Sequence, residues 1–598
     1  MKQSLSNLLF IWKICFKASP KFMLYYIYDI VRSQMLVFLE HTILIRYVLK
    51  CIEYQYPFYK ALIAIGIVFV LYLVLFIPDG YYVNILSVKE KPKLYKAMRE
   101  RVYHKATNID LACYDDADYY SDFVLSIAEC DKVVDRFLEF IKICLGSIMI
   151  FVTTGVFYII FDAVGMLFLV AAFFLSMFVA KQANKINYAV RMNTSNNEKE
   201  KKYVGRLFYL KDFAKEMRLY PTLADRLKSE YSESNQKIRA EQKKAGNKRM
   251  MLGFVRKYCL TAFITDGLYI AYLMYKVVVL KKLDLSNAIV LFHRTNEMRR
   301  GLTSFSDIIP KMHENNLYIE KIRNFLDYKA KIESDENGII PKKHGDIVIE
   351  NVSFKYKPDE DYILKDISLN VKAGEHIAIV GYNGAGKTTL IKLLMRLYDP
   401  SEGNIRFGDD DISGLKLKEY RDRIGVIFQD YQIYGASVRD NVILDDINKD
   451  KAYSDEKVTV ALENSGFKKR LEKMEKGINT PLTTEFDKKG VNLSGGESQK
   501  VATSRCFYKN ADILIMDEPS SALDPIAEYS LNSAMKRMAD GKTVFYISHR
   551  LSTTRDADRI IMLEKGRIVE CGTHSELLSL NGKYAEMWRV QAGRYNAA

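Results

Sequence analysis

His376-Ile-Ala-Ile-Val-Gly-Tyr-Asn-Gly-Ala-Gly-Lys-Thr-Thr389 runs from an apolar strand into a glycine-rich loop and on into a helical stretch. Its centre, Gly381 to Thr388, fits G-x-x-x-x-G-K-[ST] throughout, and each constrained position has a physical task. Gly381, Gly384 and Gly386 let the backbone turn tightly and aim N–H groups at phosphate oxygens, at the start of a helix whose dipole favours anions. Asn383 and Ala385 complete the loop and Thr389 follows it, so a nucleotide is expected to lie along Gly381 to Thr389. Lys387 is expected to reach the β- and γ-phosphates, and the Thr388 hydroxyl to ligate Mg²⁺. Chance is the competing explanation for four fixed positions; the strand before and the helix after weigh against it.

Downstream, Ile513-Leu-Ile-Met-Asp517-Glu518 is an apolar strand ending in two acids, the way a buried central strand delivers carboxylates to the edge of a parallel sheet. Asp517 is placed to hold Mg²⁺ through water and Glu518 to act on the attacking water. Leu493-Ser-Gly-Gly-Glu497 sits between loop and strand, and Ser521-Ala-Leu-Asp524 and Ser548-His549 follow. The order of these motifs resembles the ABC ATPase family, whose signature is LSGGQ-like and whose switch histidine follows the second acidic strand.

Composition divides the 598 residues into two regions: the N-terminal half holds the long apolar runs and the C-terminal half the nucleotide motifs. A net charge of +15 raises the question of nucleic acid, but the lysines and arginines gather beside apolar segments. Anionic lipid and membrane topology explain them more simply, and no nucleic-acid partner is expected. Eight cysteines are scattered without paired spacing, which indicates neither a disulfide framework nor a zinc site and reads as small buried or lipid-facing residues.

Residues 1 to 20 are interrupted by Lys13 and Lys17 and lack a small-residue cleavage site, unlike a signal peptide. Leu5, Leu8, Leu9, Trp12 and Phe16 project to one helical face, which suits a helix lying in the cytoplasmic membrane interface. Ala61 to Pro78, Ile143 to Phe161 and Ala163 to Ala180 approach the length of a spanning helix without an internal charge. Weaker runs near 22–49, 252–280 and 285–308 carry Asp29, Arg32, Glu40, Asp266, His293, Arg294 and Glu297. A charge at mid-bilayer costs about 2.5 to 3.5 kcal/mol on insertion scales, so these groups are expected to face protein or a wet cavity. The long basic segments 89–105 and 181–256 alternate with short connections near Tyr54, Asp162 and Asp284. The positive-inside rule puts the basic segments and both termini in the cytoplasm. Turning points of the basic segments are expected near Asp110 to Asp118 and Phe208 to Pro221.

An interfacial helix, six spans and two long intracellular loops ahead of the ATPase look like an exporter-type ABC half-transporter, similar to bacterial peptide, multidrug and lipid exporters. The expected fold class is a membrane α-helical domain of six transmembrane helices with long intracellular extensions, fused to an α/β P-loop ABC ATPase domain. The boundaries read as 1–328 for the membrane domain (1–20 interfacial), 329–345 for a polar linker and 346–598 for the nucleotide-binding domain. The resemblance implies coupling helices at the two turning points.

It also assigns further residues. Tyr356, at the end of Val352-Ser-Phe-Lys-Tyr356, matches the aromatic that stacks on adenine. Gln429, after Ile424-Gly-Val-Ile-Phe428, matches the glutamine that touches Mg²⁺ and water, and His549 the switch that contacts the γ-phosphate. Ser494, Gly495 and Gly496 begin a helix ending near Lys509, so their N–H groups and the serine hydroxyl form a second anion site. In the family the signature of one subunit closes over the ATP of the other, so the functional unit is expected to need a second half-transporter. Because Glu518, His549 and Leu493 to Gly496 are all intact, a homodimer with two competent ATP sites is favoured over a heterodimer. One departure stands out: the family's T-x-V-G-E-x-G appears as Thr484-Glu-Phe-Asp-Lys-Lys-Gly490, with Lys488 at the acidic position, where Glu485 or Asp487 could substitute.

The expected activity is ATP hydrolysis, with Mg²⁺, driving export across a bacterial cytoplasmic membrane by alternating access. His293, Glu297 and Arg300 are spaced i, i+4, i+7 on the sixth run; Asp29 and Arg32 are i, i+3 on the first, and Asp266 lies in the fifth. Either these groups pair between helices, or the sixth helix leaves the bilayer near His293, or they line a wet cavity for a polar cargo such as a modified or antimicrobial peptide. A lipid translocase or multidrug exporter shares the architecture, and a non-transport ABC ATPase is disfavoured by the apolar runs.

Overall fold

In the computed structural model, residues 2–596 are described except 211–212, 333–337, 445–454, 486, 518–524 and 548–553. The side chains of 2, 117–118, 260–261, 265–266, 307, 525–527 and 592–596 also lie outside the described set. The chain divides into two compact units, Met1–Thr107 with Ser121–Tyr328, and Asn108–Tyr120 with Lys329–Ala598.

The first unit is helical because a backbone in hydrocarbon must satisfy its polar groups within its own segment. Helix α1 (Lys2–Ala18) ends one residue before α2 (Pro20–Phe38), where Ser19 caps the new helix by accepting from Phe22 N at 3.3 Å and Pro20 occupies the first turn. A π-helical stretch, Leu39–Leu44, carries α2 into α3 (Ile45–Glu53). After a short turn, α4 (Phe58–Tyr81) runs through a second π-helical stretch into α5 (Ser87–Thr107). Helix α6 (Ala117–Tyr209) is broken at Asp162, whose φ of −157° and ψ of 72° leave the helical region. The six-residue α7 (Ala214–Leu219) precedes α8 (Pro221–Phe254), which continues through Val255–Leu268 into α9 (Tyr269–Met274). Helix α10 (Leu285–Asp327) closes the unit.

Three of these helical runs, Phe58–Thr107, Tyr119–Tyr209 and Pro221–Val279, are long and apolar enough to cross a membrane. The second contains both apolar stretches flanking Asp162. Phe69, Phe76, Ile160 and Phe178 are each more than half exposed. A continuous outward apolar shell of this kind marks a membrane surface.

Helix α1 departs from a single apolar face. Leu8, Ile11, Ile14 and Cys15 are buried with Ser4 and Asn7, whereas Leu5, Leu9 and Phe16 are exposed. The helix packs on α5 and α10, with Asn7 Nδ2 donating to Asn316 at 2.7 Å, so packing claims one stripe and leaves a second apolar stripe outward. The cysteines are all free. Cys571 lies exposed on a strand of the second unit, which neither burial nor lipid explains.

In the second unit, β1 (Ile347–Phe354), β2 (Leu364–Val371), β4 (Glu402–Phe407) and β5 (Asp410–Asp411) form an antiparallel sheet in the order β2-β1-β4-β5. A second sheet orders β10-β9-β3-β8-β7-β6 from β3 (His376–Gly381), β6 (Ile424–Ile427), β7 (Ile513–Asp517), β8 (Thr543–Ile547), β9 (Arg559–Glu564) and β10 (Arg567–Gly572). It is parallel from β9 to β6. Its inner strands are buried on both faces, which is why they read as continuous apolar runs rather than alternating ones. Between the sheets lies one core that includes Ile377, Ile379, Leu390, Leu394, Ile515 and Phe545.

Candidate nucleotide site

The parallel sheet gathers the motifs. Ile379 pairs in register with Ile547, and Ile547 with Asp517, while Met516 pairs with Ile427. The loop after β3, Asp517 at the end of β7 and Gln429 beyond β6 therefore leave the sheet at the same carboxyl edge, where ligands bind in open α/β sheets.

Helix α11 (Lys387–Leu394) starts directly from the glycine loop, with Gly386 at its N-cap at φ +103°. The Gly381 backbone passes so close to β9 that a Cβ there would lie 2.3 Å from the Leu563 carbonyl oxygen; at Gly386 it would lie 2.7 Å from Leu364 Cδ2. Tight packing of the loop thus requires these two glycines, and Asn383, Gly384 and Thr388 are left exposed at its mouth. Lys387 is buried, and its Nζ donates to the carbonyls of Gly381 at 2.9 Å and Tyr382 at 3.1 Å. This curls the ammonium over the loop it serves. Ala385 and Thr389 are buried, and Asp517 is 7% exposed at the end of its strand. Gln429 is exposed. Glu518 and His549 lie outside the described residues.

Tyr356 stands two residues beyond the end of β1 rather than terminating it. Its ring meets Phe354 edge-on at 5.0 Å and Tyr398 at 5.1 Å, and its hydroxyl lies 3.3 Å from Thr389 Oγ1. Lys392 Nζ sits 5.4 Å from the ring centroid. An aromatic platform is therefore tied directly to the phosphate-loop helix.

Ser494 caps the signature helix Gly495–Lys509 through a reciprocal box: its Oγ accepts from Glu497 N at 3.3 Å while Glu497 Oε2 accepts from Ser494 N at 2.9 Å. The serine oxygen is an acceptor in this cap, which leaves its hydroxyl hydrogen and the N–H groups of Gly495 and Gly496 for an anion. Glu497 also pairs with Arg470 at 3.1 Å. The loop after Gln429 is fastened to this helix, since Tyr431 donates to the Gly495 carbonyl at 2.8 Å and Arg505 to the carbonyls of Gln432 and Asn441, both at 2.8 Å. Burial pushes the Arg505 guanidinium pKa down.

In the segment before the signature, Asp487 accepts from Lys489 N at 2.9 Å and approaches Lys476 at 3.7 Å, so it is used inside its own turn. Glu485 and Lys488 are exposed. Gly490 is required there, because a Cβ would fall 1.7 Å from the Thr483 carbonyl oxygen.

Residues 108–120, which lie in sequence between α5 and α6, fold with the ATPase unit. Asp110 accepts from Lys331 N at 2.6 Å, and the Tyr398 hydroxyl donates to Asp115 Oδ2 at 2.8 Å. Burial first, and then the neighbouring carboxylate, raise the Tyr398 pKa. Sequence reasoning missed Tyr398, Lys392 and Arg505, because nothing local distinguishes them from other tyrosines and cations.

Several charged residues expected in the spans find partners within the first unit. Arg32 bridges Asp29 at 2.6 Å and Asp79 at 2.7 Å, and its Nη1 donates to the Leu75 carbonyl. His293 stacks on His41 with nitrogens 2.9 Å apart, and Glu297 pairs with Arg300 at 3.0 Å. Arg294, 2% exposed, donates to Thr154 Oγ1 at 2.6 Å and lies 5.4 Å from the Phe38 ring, while its Nε and Nη1 find no partner among the described residues. The side chain of Asp266 lies outside the described residues.

Residues 364–521 match the ABC transporter family model. The chain carries an ABC transporter ATP-binding domain. Its sequence is 40% identical over 253 residues to a leukotoxin translocation ATP-binding protein, LktB, of Mannheimia glucosida, covering 42% of this chain and 35% of that protein. It is 37% identical over 292 residues to an ATP-dependent lipid A-core flippase of Ralstonia nicotianae, covering 48% of each. These alignments span between a third and a half of the curated relatives. The fold extends further: a bacterial Atm1-family ABC exporter solved with ATP bound superposes with a TM-score of 0.72 at 23% identity, covering 95% of this chain and 97% of that one. The whole architecture is thus the ABC-exporter fold, and with its apolar helices the chain is an integral membrane protein.

Proposed function

We propose that the chain is one half of an ATP-driven exporter that moves its cargo out of the cytoplasm by alternating access, working as a homodimer in a bacterial cytoplasmic membrane. The observation that carries this reading is the docking of residues 108–120 on the ATPase unit through Asp110 and Asp115, which gives nucleotide chemistry a physical connection to the chain between α5 and α6. Both termini and the ATPase face the cytoplasm in this reading, with residues 1–328 forming the membrane domain, 329–345 the linker and 346–598 the nucleotide-binding domain.

The donor set fits a magnesium nucleotide: a glycine loop with no room for a side chain at Gly381 or Gly386, an exposed Thr388 hydroxyl, Gln429 and the Asp517 carboxylate all stand at one sheet edge. Mg²⁺ held there supplies positive charge against the phosphates. Lys387 swings from the loop carbonyls to the β- and γ-phosphates, Glu518 orients and polarises the attacking water, and His549 contacts the γ-phosphate. Ser494, Gly495 and Gly496 of the second copy close over the same nucleotide. Phe208, Tyr209, Phe213, Leu219 and Tyr220, exposed around α7, offer that copy an apolar knob at the second turning point.

Glu518→Gln in purified protein is expected to retain ATP binding and lose about 10² to 10⁴-fold in turnover. Hydrolysis within twofold of wild type removes Glu518 from the role, and a strict need for a second gene product for ATPase activity defeats the homodimer.

The cargo is proposed to be a modified or antimicrobial peptide, supported by the toxin-translocation relatives and by the polar groups at His293, Arg294 and Glu297. Burying the Arg294 guanidinium with Nε and Nη1 unpartnered among the described residues costs stability, which supports a binding role for it. Asp266 is assigned to the same wet pathway, whereas the bridges from Arg32 to Asp29 and Asp79 favour the pairing reading for Asp29 and Arg32. The flippase relative supports a lipid cargo instead. Liposomes assayed for peptide uptake against lipid flip separate the two. Arg294→Ala and Glu297→Gln are expected to weaken ligand-stimulated ATPase and leave the basal rate unchanged; unchanged stimulation in both, with membrane insertion confirmed, sinks the cavity assignment.

A further inference from the structure

A cavity of about 600 Å³ opens within the first unit between the end of α1, the C-terminal half of α5 and the end of α10. Four of its lining residues are basic or imidazole: Lys17, Arg101, His104 and Lys105. The last three are spaced i, i+3, i+4 and so share one face of α5. Glu100 is the acid in the lining, and it already sits 3.5 Å from Lys96. Among the described residues neither Lys17 nor Arg101 has an ion-pair partner, while Lys105 Nζ donates to the Tyr328 carbonyl. A concave site with this excess of cations holds a potential that a bound anion relieves.

The surroundings indicate where that anion comes from. On α1 the side chains of Leu5, Leu9 and Phe16 point outward, 59%, 49% and 37% exposed, on the helix whose Ile14, Lys17 and Ala18 line the cavity. On α5 the outward aliphatic surface that continues from α4 reaches Val88, which is 69% exposed, and Tyr103 is the exposed ring beyond it. Ala97, the first cavity residue of α5, follows nine residues after Val88, roughly 13 Å along the helix axis. That is within reach of a headgroup layer for long lysine and arginine side chains. We propose that this cavity binds the phosphate of an anionic phospholipid headgroup, with Lys17 and Arg101 as the principal contacts and the apolar stripe of α1 lying against the acyl chains. The site shares no residue with the nucleotide edge or with the proposed cargo pathway, so it stands or falls independently of the transport reading.

The test uses the purified full-length chain in phosphatidylcholine micelles titrated with phosphatidylglycerol, with binding read by native mass spectrometry and by the rise in melting temperature. Wild type is expected to retain phosphatidylglycerol over phosphatidylcholine. The double variant Lys17→Ala/Arg101→Ala is expected to lose roughly thirtyfold in affinity for it, the effect of two basic side chains at a lipid surface. Glu100→Gln, which removes the one acidic charge and keeps its shape, is expected to bind severalfold tighter, so the proposal is still tested if the double variant folds poorly. Inorganic phosphate at tens of millimolar is the competing probe: failure to displace the lipid supports a headgroup site, and full displacement with the same variant losses supports a free-phosphate site on the same residues. Equal retention of both lipids by wild type, or indifference of phosphatidylglycerol binding to both variants, overturns the proposal.

Discussion

The Tyr398 hydroxyl donates to Asp115 Oδ2 at 2.8 Å, and the same ring stands edge-on to Tyr356 at 5.1 Å. Since the Tyr356 hydroxyl is 3.3 Å from Thr389 on the phosphate-loop helix, a continuous chain of contacts joins the nucleotide loop to residues 108–120. A hydrogen bond to a charged acceptor contributes on the order of 1.5 to 3 kcal/mol. Tyr398→Phe and Asp115→Asn are each expected to lower the melting temperature, with the double variant no worse than the weaker single. Strictly additive losses show that the two groups do not act on each other.

The Tyr356 hydroxyl lies beside Thr389, and its ring is proposed to stack on adenine; substitutions separate the two. Tyr356→Phe keeps the ring and is expected to hold ATP affinity near wild type. Tyr356→Ala removes a stacking face worth roughly 1 to 3 kcal/mol, so KM for ATP is expected to rise between about fivefold and a hundredfold with a smaller change in kcat. A loss confined to kcat assigns the residue to chemistry rather than to the base.

Glu497 stands where the family more often has glutamine, and its carboxylate closes the cap on Ser494 N at 2.9 Å. Glutamine closes the same box, so Glu497→Gln is expected to keep near-normal ATPase and stability. Ser494→Ala loses both the cap, typically about 1 kcal/mol, and the hydroxyl proposed for the partner's nucleotide. Its ATPase is expected to fall further than its melting temperature explains; parallel small losses leave Ser494 as a cap only.

Asp162 breaks α6 with its carboxylate fully buried, 3.1 Å from Lys276 Nζ and from the Tyr269 hydroxyl, and 3.3 Å from the Tyr272 hydroxyl. Stranding one member of a buried pair costs about 3 to 5 kcal/mol. Asp162→Asn and Lys276→Met are each expected to cut the yield of folded protein sharply, while Asp162→Asn/Lys276→Met recovers most of it. Gly165→Ala should mimic the single losses, since a Cβ there would lie 2.5 Å from Asp162 Oδ2. Normal yields in all four variants show the cluster to be dispensable.

Features decided by neighbours in sequence were readable before any coordinates. The strand, glycine loop and helix from His376 to Leu394 form because a two-sided apolar strand, left-handed backbone at glycines and a helix start follow one another within a few residues. The capping box at Ser494 is a spacing of three, and the spans of α4 and α6 are stretches of apolar length. By contrast, the sequence alone offered pairing and cavity lining as equal readings for Asp29 and Arg32, and it took Asp79, which lies 47 residues from Arg32, to make a bridged triplet. It read α1 as having one apolar face where packing on α5 and α10 uses a different stripe. It gave no notice of Tyr398 and Asp115, which are 283 positions apart. Backbone geometry and helix length depend on the residues at hand, whereas a polar group's partner is chosen by which distant element packs beside it; that choice belongs to the tertiary structure alone.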